Sequence, residues 1–165
     1  MRRTGTVAMT AAALLIGLMG IAMASPPTAA SGTITQGEVT GFDIGFAGPN
    51  VILRQSTAGT VNGTLQGTYQ DTFRVVIHPN GKFNAHGKLT CECTVGGRSG
   101  VLELSVTNTG EEIDGVPTFE GRFVIKRGTN ELAGLHGVLT MGGAVDPATG
   151  LSTIDYAGQI HFDPR

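Results

Sequence analysis

Tryptophan is absent from this chain, and aromatic residues of every kind make up only 5% of it. That is too little ring surface for a protein that grips sugars or nucleobases by stacking. Charge is scarce as well. Asp, Glu, Lys and Arg together account for 15% of the sequence, fewer than a helical bundle needs on its wet faces. No long stretch carries the 3.6-residue period of an amphipathic helix. A basic cluster is also missing. Arg2 and Arg3 belong to the leading segment described next, so the remainder holds 9 Lys+Arg against 13 Asp+Glu, a formal net charge of −4. Such a mildly acidic domain lacks the footprint of a phosphate-backbone binder, which excludes nucleic acid as a main partner.

The first 24 residues read as a targeting segment. Arg2 and Arg3 form a basic start, Val7 to Ala24 is apolar, and Ala22-Met23-Ala24 has the small-x-small pattern that a signal peptidase accepts. The alternative is an uncleaved anchor, for which the Ala- and Gly-rich run is of borderline length. It is the only route by which the sequence implies a membrane. No Cys stands directly after the run, which argues against a lipid-modified start, and the Arg pair lacks the flanks of a twin-arginine signal. The expectation is a protein exported to the periplasm, the cell surface or the medium. Residues 25–32, rich in Ser, Pro and Ala, read as a flexible lead-in. Residues 33–165 are expected to form one domain.

What the chain does have is glycine, 26 residues of it, and alternation. From Phe83 to Val95 the odd positions (Phe83, Ala85, Gly87, Leu89, Cys91, Cys93, Val95) are apolar or small. The even ones (Asn84, His86, Lys88, Thr90, Glu92, Thr94) are polar. Period two over this length requires a strand with one dry face. Upstream, Phe73, Val75 and Ile77 form the dry face of a second strand. A two-residue Asn80-Gly81 turn would set Ile77 against Asn84, whereas a three-residue Pro79-Asn80-Gly81 loop pairs Ile77 with Phe83 and Val75 with Ala85. Matching faces selects the longer loop, with Gly81 in the left-handed bulge position. Downstream, a Gly96-Gly97 turn pairs Cys93 with Gly100, Cys91 with Leu102 and Leu89 with Leu104.

Further strands follow from alternation around Phe42, Ile44 and Phe46, around Val51-Ile52-Leu53, and around Val61, Leu65 and Tyr69. Two more are read at Gly121, Phe123 and Ile125, and at Ile154, Tyr156, Gly158, Ile160 and Phe162. The one helix-like piece is Thr129 to Ala133, which Thr129 could cap and Gly134 could end. The total is about eight strands, an all-β antiparallel barrel, with a two-sheet sandwich as the alternative. Dry-side glycines at 63, 67, 87, 100, 121 and 158 favour the closed, bent sheet.

Arg98-Ser99-Gly100, Gly121-Arg122-Phe123-Val124-Ile125, the run from Gly128 to Gly137 and Tyr156-Ala157-Gly158-Gln159-Ile160 with Phe162-Asp163-Pro164 together resemble a bacterial family of small exported β-barrel domains. That family is similar to the allene oxide cyclase and dirigent-type barrels, relatives of the calycins. The resemblance spans residues 70–164 and departs at Asn130, where the family more often has Gly. It implies an eight-stranded barrel and transfers no catalytic residue.

Cys91 and Cys93 share the dry face two positions apart. Three readings stay open: inert buried thiols, a local disulfide in an oxidising compartment, or a redox or metal role. No His or carboxylate is expected on their face, and no metal or other cofactor is implied. His78, His86 and His161 fall on polar faces and His136 near a loop, with no nucleophilic relay among them. Glu111, Glu112 and Asp114 read as a solvated loop without the ligand spacing of a calcium site. The function expected is binding of a small apolar molecule inside the barrel, against Phe83, Leu89, Cys91, Cys93, Leu102, Leu104, Phe123 and Tyr156. One alternative is an isomerase or cyclase on the same barrel, which requires an inward carboxylate, Asn or Tyr; Tyr69 and Tyr156 are the inward candidates read from the sequence. The other is a structural or surface-associated protein. Oligomeric state is not legible.

Overall fold

Eight strands follow one another around a ring in the computed structural model, which describes residues 25–164. The leading segment, with its signal-peptide reading, lies outside the described residues. The strands are β1 (Thr28–Ala47), β2 (Asn50–Gly63), β3 (Leu65–Ile77), β4 (Lys82–Val95), β5 (Arg98–Ile113), β6 (Val116–Gly128), β7 (Leu135–Val145) and β8 (Ser152–Phe162). Each pairs antiparallel with its chain neighbour, and β1 pairs with β8 to close a barrel.

The registers expected for the central meander are those observed. Ile77 faces Phe83, Val75 faces Ala85 and Phe73 faces Gly87. Across the next hairpin Cys93 faces Gly100, Cys91 faces Leu102 and Leu89 faces Leu104. His78 and Gly81 close the Pro79-Asn80-Gly81 loop through backbone bonds of 2.8 and 3.0 Å, with Gly81 at φ 79°. Gly96 and Gly97 both have positive φ, the conformation a two-residue hairpin turn needs to match strand twist.

The lead-in reading of residues 25–32 is corrected. Thr28 to Gly32 are already strand, paired with Ile160 to Tyr156, and Ala30 is buried. Their small side chains resemble a linker, but the free edge of β8 takes them as its partner. Such a long-range pairing leaves no local mark in the sequence.

Inside the ring, aromatic side chains lie across from glycines on the neighbouring strand. The pairs are Tyr156 with Gly32, Tyr69 with Gly59, Phe73 with Gly87, Phe83 with Gly110 and Phe119 with Gly143. A Cβ on Gly59 would stand 2.9 Å from Tyr69 Cε1, and one on Gly87 would stand 2.8 Å from Phe73 Cδ1. At these positions the missing side chain of the glycine makes room for the ring across from it.

The two ends of the barrel differ. At the end carrying the β2–β3, β4–β5 and β6–β7 turns, Leu65, Val95, Cys91, Cys93, Leu102, Leu132 and Leu135 form a closed core. A 3₁₀ turn at Asn130–Leu132 folds Leu132, fully buried, against that core. Thr129 does not cap this turn as expected; its hydroxyl instead accepts the Val101 N–H at 3.1 Å, tying the turn to β5. The Tyr156 hydroxyl accepts from Leu65 N–H at 3.0 Å and lies 3.2 Å from the Asn62 carbonyl, to which it donates.

At the opposite end, β1 separates from β8 after the Thr35–Thr153 pair. Register shifts between Gln36 and Glu38 and between Val39 and Gly41 bend the strand. The β1–β2 hairpin then runs on past the ring, carrying Phe42, Ile44 and Phe46, which are 58%, 52% and 78% exposed.

Candidate binding site

Above the closed core, the strands enclose a cavity of about 360 Å³, within the range of small-molecule sites. Its walls are mainly Leu53, Phe73, Val75, Ile77, Phe83, Ala85, Phe119, Met141 and Ile154, and loop residues Gly81 and Gly150 place its mouth at the open end. Period-two geometry explains the lining. The dry-side residues nearer the turns of β2–β6 have no partner deep enough to fill the middle, so the barrel interior is solid at one end and hollow at the other.

Polar side chains also line this space, among them Gln36, Gln55, Thr57, Asp71, Asn108, Glu112 and Ser152. Asp71 is only 8% exposed. It stands directly opposite Thr57 on β2, and one of its oxygens, Oδ1, accepts both the Thr57 backbone N–H at 3.1 Å and the Thr57 hydroxyl at 2.6 Å. Burial pushes the Asp71 carboxyl up to about 6, against the two Thr57 bonds, which pull it down. Tyr69, one inward step away on the same strand, has its phenol pushed up to about 12 by burial, with the Thr57 contact opposing and the Asp71 charge adding. The phenol therefore stays protonated at neutral pH.

Gln36 sits where β1 leaves β8. Its Oε1 accepts the Ser152 hydroxyl at 2.8 Å and the Ser152 N–H at 3.3 Å, which replaces the lost ladder by a side-chain clasp. Its Nε2, like Asn108 Oδ1, is buried without a protein partner among the described residues. Buried polar atoms of this kind are costly unless something meets them. Glu112 and Asp71 are the charged side chains lining the cavity.

The residues expected to line a cavity divide between the two halves. Phe83 is in the wall. Leu89, Cys91, Cys93, Leu102, Leu104, Phe123 and Tyr156 belong instead to the buried core cluster. The structure brings the sulfurs of Cys91 and Cys93 into bonding contact, with their Cα atoms 5.3 Å apart, closer than two steps of a regular strand. The histidines are dispersed: His78 bonds Asn50 and Asn84, while His136 faces His161 across β7–β8 and lies 3.0 Å from Asp163. Arg74 faces His86.

Sequence reasoning missed Asp71, Asn108 and Gln36. Asp71 had a signal, since it falls between Tyr69 and Phe73 on the same parity. Asn108 had one too, lying two positions beyond Val106, whose pairing with Gly87 the register already implied. Gln36 had one as well, standing in step with Ile34 just before the bulge that breaks the parity of β1.

No protein-family model matches this chain, and no curated protein does. Among solved structures it is similar to a protein of unknown function from the DUF3224 family of Shewanella oneidensis MR-1, at 20% identity and a TM-score of 0.56, covering 85% of this chain and 100% of that one. The likeness bears on the fold, an eight-stranded antiparallel sheet.

Proposed function

We propose that this protein is an exported, non-catalytic barrel that holds one small apolar molecule in the open half of its interior. The observation that carries the reading is the cavity of about 360 Å³, walled by aliphatic and aromatic side chains and opening at one end of a barrel whose other end is solid. A packed interior would bury those side chains against one another at lower cost. Keeping them apart sacrifices core stability, and a bound apolar ligand recovers that contact. Arg2, Arg3, the apolar run and Ala22-Met23-Ala24 support export.

The test is a titration of the purified domain, residues 25–165, with N-phenyl-1-naphthylamine, a neutral apolar fluorophore. Saturable enhancement at one site per chain is expected. A linear, non-saturating response would end this reading.

A second reading, an isomerase or cyclase steering a reactive apolar substrate, draws support from the resemblance to allene oxide cyclase-type barrels and from Asp71 and Asn108, the inward polar groups such chemistry requires. Turnover of a bound epoxide-bearing fatty acid, lost in Asp71→Asn, would favour it over simple binding.

A further inference from the structure

We infer that the molecule held in the cavity is a cationic amphiphile, an apolar body with a protonated amine that enters head-first and docks on Asp71. This rests on the ligand-binding reading above and names the class of ligand.

The argument begins with what the cavity offers to a polar head. Thr57 saturates Oδ1 of Asp71 and leaves Oδ2 without a bond from the described residues. Asn108 Oδ1 is a second acceptor with no partner among them. A neutral apolar ligand meets neither atom, and a carboxylate would set like charges together in a poorly hydrated space. An ammonium donates to both kinds of acceptor and supplies the opposite charge that a desolvated carboxylate lacks. Gln36 Nε2, the unmet donor in the same space, would take an acceptor oxygen beside the amine, such as a hydroxyl.

The surroundings carry the same sign. Among the described residues no Lys, Arg or His lines the cavity, whereas Glu112 stands in its wall. The loops around the mouth add Asp114 and Asp146, both exposed, against Lys82, which is 3.6 Å from Glu111. An acidic funnel over an apolar chamber with a carboxylate inside it raises the local concentration of cations and repels anions. Length fits as well. The apolar walls rise from Phe73 through Val75 to Ile77 on β3, and the exposed Phe42, Ile44 and Phe46 stand on the hairpin beyond them, so a tail leaving the chamber still finds apolar surface.

The experiment is competition against bound N-phenyl-1-naphthylamine by four ligands that share one chain length: decylamine, decanol, decanamide and decanoate, at pH 7.5 and low salt. The expected result is that decylamine displaces the probe at a concentration at least tenfold below decanol, with decanoate weakest. In Asp71→Asn, whose own probe affinity is measured first, the decylamine-to-decanol ratio is expected to fall to within about threefold. Equal potency of decylamine and decanol, or a lead by decanamide or decanoate, overturns the inference while leaving the cavity a binding site. Failure of the probe itself to bind saturably removes the underlying reading, and the inference with it.

Discussion

Thr57 places two hydrogen bonds on a single oxygen of Asp71, at 2.6 and 3.1 Å, across the β2–β3 ladder. Even so, the carboxyl stays well above its ordinary range. Two donors would normally hold a carboxylate down, so burial outweighs them. Asp71 is a group whose folded value lies above its unfolded one. Its protonated form is favoured by folding, and the stability it contributes is complete below pH 4 and is lost as pH rises through 6.

Asp71→Asn should therefore stabilise the fold, and only at the alkaline side of that window. The expected gain is on the order of 2–3 kcal/mol at pH 8, disappearing by pH 4. Denaturant melts of both proteins at the two pH values measure it; an equal effect at pH 4 and pH 8 would show that the carboxyl is not destabilised by burial. A buried group that weakens the fold at neutral pH is also what a functional site is expected to retain.

Ala85 lies in the cavity wall, where a larger side chain would project into open space. We expect Ala85→Phe to weaken binding of N-phenyl-1-naphthylamine at least tenfold while leaving the melting temperature unchanged or higher, since the new ring fills a void rather than crowding a packed core. Unchanged probe affinity would place the binding elsewhere on the molecule.

Gly87 is a packing constraint of the opposite kind. A Cβ there meets the Thr72 carbonyl and the ring of Phe73, and neither backbone nor buried ring yields cheaply. Gly87→Ala is expected to cost about 1–3 kcal/mol in a urea melt. The double variant Gly87→Ala, Phe73→Leu should recover part of that loss if the aromatic–glycine pairing is its cause.

The sulfur contact between Cys91 and Cys93 leads to a simple mass measurement. Protein prepared without reductant and unfolded in guanidinium is expected to take up no alkylating reagent, and to add two labels after reduction. Since the bridge would span two positions, it closes almost no loop, and reduction should cost less than about 2 kcal/mol. Full labelling without reductant would return the pair to inert buried thiols.

The central meander was legible because two constraints agreed. Side-chain parity from Phe73 to Val106 and the chemistry of the Pro79-Asn80-Gly81 and Gly96-Gly97 turns admit one register, and it is the observed one. The start of β1 was not legible, because Ala29 and Ala30 become strand only through β8, which lies at the other end of the chain. The position of the cavity was hidden for a related reason. Parity tells which side chains face inward but not how high on the ring each one sits, so Leu102 and Phe83 looked equivalent although one is packed and the other lines a void. The polar residues were partly readable. Asp71 stands in step with Tyr69 and Phe73, so its parity pointed inward although a carboxylate is rare on a dry face.

The seam between β1 and β8 sets the order in which this molecule can assemble. Every other strand pair joins segments that follow one another directly, but Thr28 to Thr35 must wait for residues 153–160. Until those last residues arrive, a nascent or truncated chain has two raw edges and an unsealed interior, the arrangement most prone to pairing with another molecule. The ring is thus sealed only by its last strand, and no ligand can be enclosed before β8 has met β1.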